Sequence, residues 1–119
     1  MANSESAKRM ADAANAFLEA TNGNPAATIA FADEPARKDW HYIPRRRAGL
    51  SFRHMDATQE QAAYRLARSA LSLEAFAAVT TIIGLEDVLD ELEHRARNRH
   101  RADYSVTVFD EPHETKPWG

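Results

Sequence analysis

The residues best suited to bind a ligand lie in the stretch RKDWHYIPRRRAGLSF, which runs from position 37 to position 52. Between positions 37 and 53, Asp39 is the single acid opposed to six basic side chains. These are Arg37, Lys38, Arg45, Arg46, Arg47 and Arg53. Guanidinium groups present planar forks of donors that match carboxylate and phosphate oxygens. The stretch therefore predicts an anion-binding site.

Aromatic residues give the same stretch a second interpretation. Trp40 or Tyr42 could stack on a ring of the ligand or on an arginine, which would support the binding site. Alternatively, Trp40, Tyr42 and Phe52 anchor a long loop to the rest of the fold, Pro44 stiffens it, and the arginines pair with acids or water. Buried aromatics are the usual way of holding such a loop, so this interpretation is favoured and the first stays open.

Catalytic and metal-binding patterns are sparse. His41, beside Trp40, is a candidate general base if a pocket assembles around it. The five histidines include no HExxH pair, and the lack of cysteine excludes disulfides, thiolate metal sites and a cysteine nucleophile. No G-x-S-x-G or S-x-x-K motif frames a serine, and the four glycines are not clustered. We therefore expect no metal and no cofactor, and name no reaction.

The charge balance limits the partners. A net charge of −3 argues against a protein that binds nucleic acid through a globally basic surface. The acid-free run HRARNRHR, positions 94–101, lacks interleaved aromatics, so a solvated helix end is favoured over a nucleic-acid contact. The N-terminus has no continuous apolar core of a signal peptide, and no run reaches the ~18 apolar residues of a membrane span. We expect a cytoplasmic protein without membrane contacts.

Helices must position the loop. The first helix is predicted from Ser4 to Thr21, where NGNP ends it, and the second from Thr58, where TQEQ has the spacing of a capping box. A third helix is predicted around Gly84, with a kink or a division into two shorter helices left open at that glycine, and residues 32–56 are predicted to be irregular. The apolar residues of the third helix are assigned to one face: Phe76, Val79, Ile82, Ile83, Val88, Leu89 and Leu92.

Two segments predict strands. YSVTVF, residues 104–109, alternates and is rich in β-branched and aromatic residues, and ATIAF is a shorter candidate. A lone strand cannot satisfy its own backbone hydrogen-bonding groups, so either ATIAF pairs with it or a C-terminal continuation or partner chain covers it. The expected fold is a helix-dominated α+β domain over residues 1–119, with three helices, a long irregular basic-aromatic loop and one or two short strands.

An ordered set of segments resembles a family of uncharacterised proteins, domain of unknown function 3500. Its first segment is the pattern Arg37-x-x-Trp40-His41-Tyr42-x-Pro44-x-x-Arg47-x-Gly49-Leu50. MDATQEQAAYRLARSALS, GLEDVLDELE and YSVTVFDEPHETKPWG match later segments in the same order. The resemblance covers nearly the whole chain and carries over no activity. Of the arginine triplet, Arg47 alone lies on the pattern, so it is the best candidate for a ligand-binding or structural role.

The resemblance implies that this chain is part of a longer protein. Members of that family continue well past the PWG segment, to more than twice this length, which implies an N-terminal, incomplete domain without independent activity. Asp110 stands where members usually have a glycine, a departure that works against a tight turn after the strand. Two alternatives stay open: the Trp40–Arg47 loop forms half of a catalytic pocket for an anionic substrate, or the chain is a small anion- or nucleic-acid-binding module.

Overall fold

The computed structural model describes residues 2–41, 46–94 and 100–119, and helices dominate them. The helices are α1 (Ala2–Ala20), α2 (Glu34–Arg37), α3 (Ala57–Ala70) and α4 (Leu73–Leu92). The strands are β1 (Thr28–Ile29), β2 (Leu50–Ser51), β3 (Ser105–Val106) and β4 (Val108–Phe109), and turns of 3₁₀ helix cover Pro25–Ala27, Phe52–His54 and Arg101–Asp103. The predicted helix-dominated α+β class is confirmed.

The first helix ends where NGNP predicted its end. The backbone amide of Thr21 donates to the carbonyl of Phe17, and its hydroxyl donates to the carbonyl of Leu18. Asn22 and Gly23 then take positive φ values of 53° and 68°. Asn and Gly adopt this left-handed conformation at low cost, which lets the last helical carbonyls be satisfied as the chain turns away.

The hydrophobic core forms where α1 packs against α3. Phe17 is fully buried on α1, and the alanines beside it on the same face, Ala11 and Ala14, are buried too. The central cluster consists of Phe17, Ala27, Leu50, Ala63 and Val108. Leu18, Phe52, Met55, Ala62, Leu66, Val106 and Trp118 pack around it. Small alanines on both helices allow close approach, and the core draws on residues from both ends of the chain.

Each strand is two residues long, and the strands form two separate pairs. β1 runs parallel to β4, with Thr28 opposite Val108, and β2 runs antiparallel to β3. The segment 104–109 is therefore two strands rather than the single predicted one, because it changes partner at Thr107. On the other edge of β4, Phe109 and Gly119 exchange backbone hydrogen bonds in both directions. ATIAF does pair with the late strand, so both halves of 104–109 find hydrogen-bonding partners within this chain.

Helix α3 has a capping box, but not at the predicted residues. The carboxylate of Asp56 accepts from the amide of Gln59 at 2.8 Å, and the Gln59 side chain accepts from the amide of Asp56 at 3.0 Å. The assignment of the cap to Thr58 was wrong, because an aspartate two residues earlier is an equally good N-cap with glutamine at the required spacing. Gln59 Nε2 also donates to the carbonyl of Ala20 at 3.0 Å, which ties α3 to the end of α1.

Helix α4 is a continuous helix attached to one side of the core. Ser72 caps it by accepting from the amide of Ala75 at 3.1 Å, and Gly84 does not interrupt it. Its inward side makes an edge-to-face contact between the rings of Phe76 and Tyr64, with centroids 6.3 Å apart, and buries Ile83. Among the described residues, α4 supplies none of the side chains that form or line the central cluster.

Candidate functional site

The predicted ligand loop starts on a short helix that the sequence did not indicate. Helix α2 lies inside the stretch predicted to be irregular, and the carboxylate of Asp33 caps it by accepting from the amide of Ala36 at 3.1 Å. Arg37 ends this helix and places its guanidinium 4.2 Å above the ring of Phe31. The first predicted anion ligand is thus stacked on an aromatic ring of its own chain.

His41, the candidate general base, lies against an acid. Its Nε2 is 2.6 Å from Oδ1 of Asp39, at an imidazole side chain that is 31% exposed. A carboxylate at this distance orients the ring and fixes its tautomer. Trp40, between the two, is 73% exposed, so the Trp40 ring is not buried in the core as the anchoring interpretation expected.

The predicted basic residues make separate contacts in the structure. Arg47 Nη2 donates to the backbone carbonyl of His41 at 3.1 Å, and Arg46 is exposed. Arg53 instead binds Asp103, with Nη2 and Nε at 2.7 and 3.2 Å from the same carboxylate oxygen. Residues 42–45 of the predicted loop, which include Tyr42, Pro44 and Arg45, lie outside the described residues.

A second candidate surface runs along α4. Five large apolar side chains there are 37–70% exposed: Ile82, Leu85, Val88, Leu89 and Leu92. Each of them lies three or four residues from another member of the set, which places them on one side of the helix. We call these five residues the outer face of α4. A contiguous exposed apolar surface is more informative than scattered ones, because soluble proteins seldom leave such patches uncovered.

The outer face corrects the assignment of α4 to a single apolar face. Phe76 and Ile83 turn toward the chain, whereas Ile82, Leu89 and Leu92, assigned to the same side, are exposed. The assignment failed because α4 is apolar around most of its circumference, so hydrophobicity alone does not select the buried side. A signal was present in the sequence: the apolar residues of α4 are spread too widely around the helix to share one side, which indicates a helix that is covered on more than one side.

Polar contacts hold the opposite side of α4 against the chain. Asp87 accepts from the amide of Arg101 at 3.1 Å, and Nε2 of His100 and Nε of Arg101 each lie 3.6 Å from its carboxylate. Burial raises the pKa of the Tyr64 hydroxyl beside Phe76, Glu60 adds to the rise, and Arg101 opposes it. These contacts fix the rotation of α4 and leave its outer face toward solvent.

The charge on α4 is of one sign. The helix contains five acids and no lysine, arginine or histidine. The acids are Glu74, Glu86, Asp87, Asp90 and Glu91. Of the basic run that follows, residues 95–99 lie outside the described residues, and Arg101 is engaged with Asp87 as given above. The surface around the outer face is therefore acidic and apolar.

Other features of the described chain carry less chemistry. In residues 2–41, 46–94 and 100–119, no three histidine or acidic side chains converge on a metal position. No helix in these ranges has the length and apolarity to cross a membrane. A surface depression of about 400 Å³ beside β1 is lined by none of the predicted site residues. Its lining consists of Leu18, Thr28, Ile29, Ala30, Asp110 and Glu111.

The geometry defines a helix-dominated α+β unit with an outward-facing apolar helix. The chain belongs to the family described as protein of unknown function (DUF3500), whose profile matches residues 3–119. This match confirms the resemblance found in the sequence. No curated protein and no solved structure matches the chain.

Proposed function

We propose that this chain is an interaction unit of a larger protein, without independent catalytic activity, and that further polypeptide covers the outer face of α4. The observation that carries the proposal is the exposure of Ile82, Leu85, Val88 and Leu92, each at least half exposed on one side of a helix. Apolar patches of this kind mark surfaces that become buried in an interface. The covering polypeptide is a downstream segment of the same protein or another chain.

The total accessible surface supports an uncovered interface. The chain exposes 8407 Å². A compact monomer of its mass, 13.3 kDa, is expected to expose roughly 6,500 Å². The whole chain therefore exposes about 1,900 Å² more than a compact monomer, as expected when an apolar helix lies outside the core.

The size of the fold agrees with its surface. The Cα radius of gyration is 15.0 Å, and the extents are 48 × 30 × 26 Å. A compact domain of this length has an expected radius of about 13.5 Å. An elongated form is what a peripheral helix outside the core produces.

Nile red fluorescence tests whether the outer face is available to an apolar ligand. This dye is uncharged, so added acids do not repel it electrostatically. We expect the 119-residue chain to bind it, and the double variant Leu85→Glu, Leu89→Glu to lose at least half of the signal. Because both side chains are exposed, the change in the free energy of unfolding should stay within about 0.5 kcal/mol for each site.

Leu73→Glu is the matched control, because Leu73 is 67% exposed on α4 but lies off the outer face. It should leave dye binding unchanged. A wild-type chain that does not bind the dye, or a double variant that binds it equally well, contradicts the proposed interface. The larger-protein part is tested separately by the DNA downstream of codon 119, where an in-frame continuation of the family is expected and its absence would count against it.

We propose, as a second candidate function, that the Trp40–Arg47 loop binds an anion and contributes half of a catalytic pocket for an anionic substrate. The supporting observation is the pair of contacts made by His41. Its imidazole lies 2.6 Å from the carboxylate of Asp39, and its backbone carbonyl accepts a hydrogen bond from the guanidinium of Arg47 at 3.1 Å. Arg37 and Arg46 would add positive charge at the same loop, with Arg45 completing the triplet. An oriented imidazole beside guanidinium groups suits proton transfer on an anionic molecule.

Inorganic phosphate titrated into the chain, followed by calorimetry, tests the anion site. We expect Arg46→Ala to weaken phosphate binding about tenfold, because each charge-assisted hydrogen bond contributes about 1.5–3 kcal/mol. Arg65→Ala is the control, since Arg65 is an exposed arginine on α3 outside the loop. Equal affinity in the two variants would remove the loop as the anion site.

A further inference from the structure

We propose that the polypeptide covering α4 is an amphipathic helix whose apolar stripe is edged by lysine or arginine. This inference rests on the proposed function, because it assumes that the outer face of α4 is an interface. It adds the secondary structure and the charge of the partner. Both come from the spacing of the exposed side chains and from the residues beside them.

The spacing of the outer face favours a helix as the partner. Ile82, Leu85, Leu89 and Leu92 follow one another at three, four and three residues, which is the a/d spacing of a heptad. An a/d stripe keeps a straight seam along the helix because it repeats every 3.5 residues. Its knobs fit between side chains of another helix at the same spacing. A continuous seam of this kind is the surface that helix-on-helix recognition uses.

The positions beside the seam define the charge of the partner. With Ile82 and Leu89 at a, the e positions are Glu86 and the C-cap residue Glu93, which directly follows α4, and the g positions are Thr81 and Val88. Charged residues at e and g set partner choice in coiled coils, because they face each other across the seam. Two glutamates on one edge therefore favour basic side chains on the facing edge of the partner.

Acids dominate the rest of the helix surface as well. Glu74 occupies a g position in the first turn of α4, and α4 contains no basic residue. Glu86 and Glu93 also interact within this chain. The proposal therefore asks only that a basic side chain of the partner join them, and the field of the acids as a group attracts it.

A second copy of α4 is a poorer occupant of the seam. In an antiparallel pair the e positions face each other, which brings glutamate against glutamate. In a parallel pair e faces g, which places Glu86 against Thr81 and Glu93 against Val88. Neither arrangement offers an opposite charge across the seam, and in the second Glu93 would face the apolar side chain of Val88. A basic partner helix avoids both the repulsion between glutamates and the placement of a glutamate against an apolar side chain.

Two synthetic three-heptad peptides with the same leucine seam test the proposal, one with lysine and one with glutamate at every e and g position. Each carries a fluorophore, and its anisotropy is followed as the 119-residue chain is added at low salt. We expect the lysine peptide to bind at least tenfold more tightly than the glutamate peptide. Its advantage should shrink at about 1 M salt, where the Debye length falls to about 3 Å.

The double variant Leu85→Glu, Leu89→Glu makes the test specific to the seam. It adds two acids, so attraction by charge alone would strengthen binding of the lysine peptide, whereas loss of the apolar seam weakens it at least tenfold. Leu73→Glu adds an acid off the seam and should not weaken binding. If the double variant binds the lysine peptide as tightly as the wild type, the seam is not the docking surface and the inference is wrong.

The remaining outcomes separate this inference from the proposed function. Equal affinity for the two peptides, lost in the double variant, overturns the basic partner but leaves α4 as an interface. Sedimentation equilibrium that finds a dimer of the chain, abolished in the double variant, assigns the seam to a second copy and also overturns the inference. Failure of both peptides to bind a monomeric chain, together with no Nile red binding, overturns both proposals.

Discussion

Gly49 directly precedes β2 with φ of 105°, a conformation that L side chains rarely adopt. A Cβ built at this position would lie 2.8 Å from the carbonyl oxygen of Val106 and closer still to the hydroxyl of Thr107. Both contacts belong to the segment that changes partner between the two strand pairs. Gly49 is thus required for its backbone freedom and for the space that the missing side chain leaves.

We expect Gly49→Ala to lower the free energy of unfolding by about 2 kcal/mol or more, because left-handed strain and steric overlap act together. Gly84→Ala is the matched control. Gly84 is helical and has no heavy atom near its absent Cβ, so alanine there should stabilise the chain by about 0.5–1 kcal/mol. Urea denaturation of the two variants measures both effects. Equal destabilisation would show that the Gly49 backbone is not constrained as described.

Asp110 forms a turn after β4 that the sequence did not predict. An aspartate after β4 argued against a tight turn, yet the residue takes φ of 67° and turns the chain as a glycine would. Its carboxylate accepts from the amide of Phe31 at 2.9 Å, and its own amide donates to the carbonyl of Ile29 at 2.9 Å. These hydrogen bonds offset the cost of the conformation. They join residues far apart in sequence, so local turn rules could not reveal them.

At the scale of the element, helix α4 separates what the sequence could predict from what it could not. The position of the helix was predictable, because Ser72 is a good N-cap and a long apolar run follows it. The rotation of the helix about its axis was not predictable. The contact between Asp87 and Arg101 fixes this rotation, and those two residues lie 14 positions apart in the sequence. Of its two apolar sides, the one opposite Asp87 was free to face solvent.

The other elements also combine features that the sequence could predict with features that it could not. The ends of α1 and the pairing of ATIAF with the late strand followed from local chemistry and from the need to satisfy strand hydrogen bonds. The cap of α3 was displaced by two residues because Asp56 and Thr58 both satisfy the capping pattern. In the candidate ligand loop, composition identified Asp39, His41 and Arg47 as neighbours in sequence, but the stacking of Arg37 on Phe31 depends on how α2 turns.

At the scale of the whole molecule, the surface excess predicts a large response to a partner. A ligand that binds only the folded state stabilises it by about 2.7 kcal/mol at a free concentration a hundredfold above its Kd. For a chain of this length we expect the lysine-edged helix to raise Tm by roughly 10 °C under those conditions. Differential scanning calorimetry measures the shift.

The same scan with the Leu85→Glu, Leu89→Glu variant provides the control and should show no shift at the same peptide concentration. A comparable rise of Tm in that variant would mean that the peptide stabilises the fold elsewhere. The uncovered helix would then have no part in the stability of the assembled protein.

The parallel pairing of β1 with β4 also governs the order in which the protein is completed during synthesis. Thr28 meets Val108, which follows 108 − 28 = 80 positions later. At ribosomal rates of about 5–20 residues per second, the first strand waits roughly 4–16 s for the strand that binds it. Phe17 waits slightly longer for Val108, and throughout that interval the nascent N-terminal segment presents an open apolar surface that chaperones can hold.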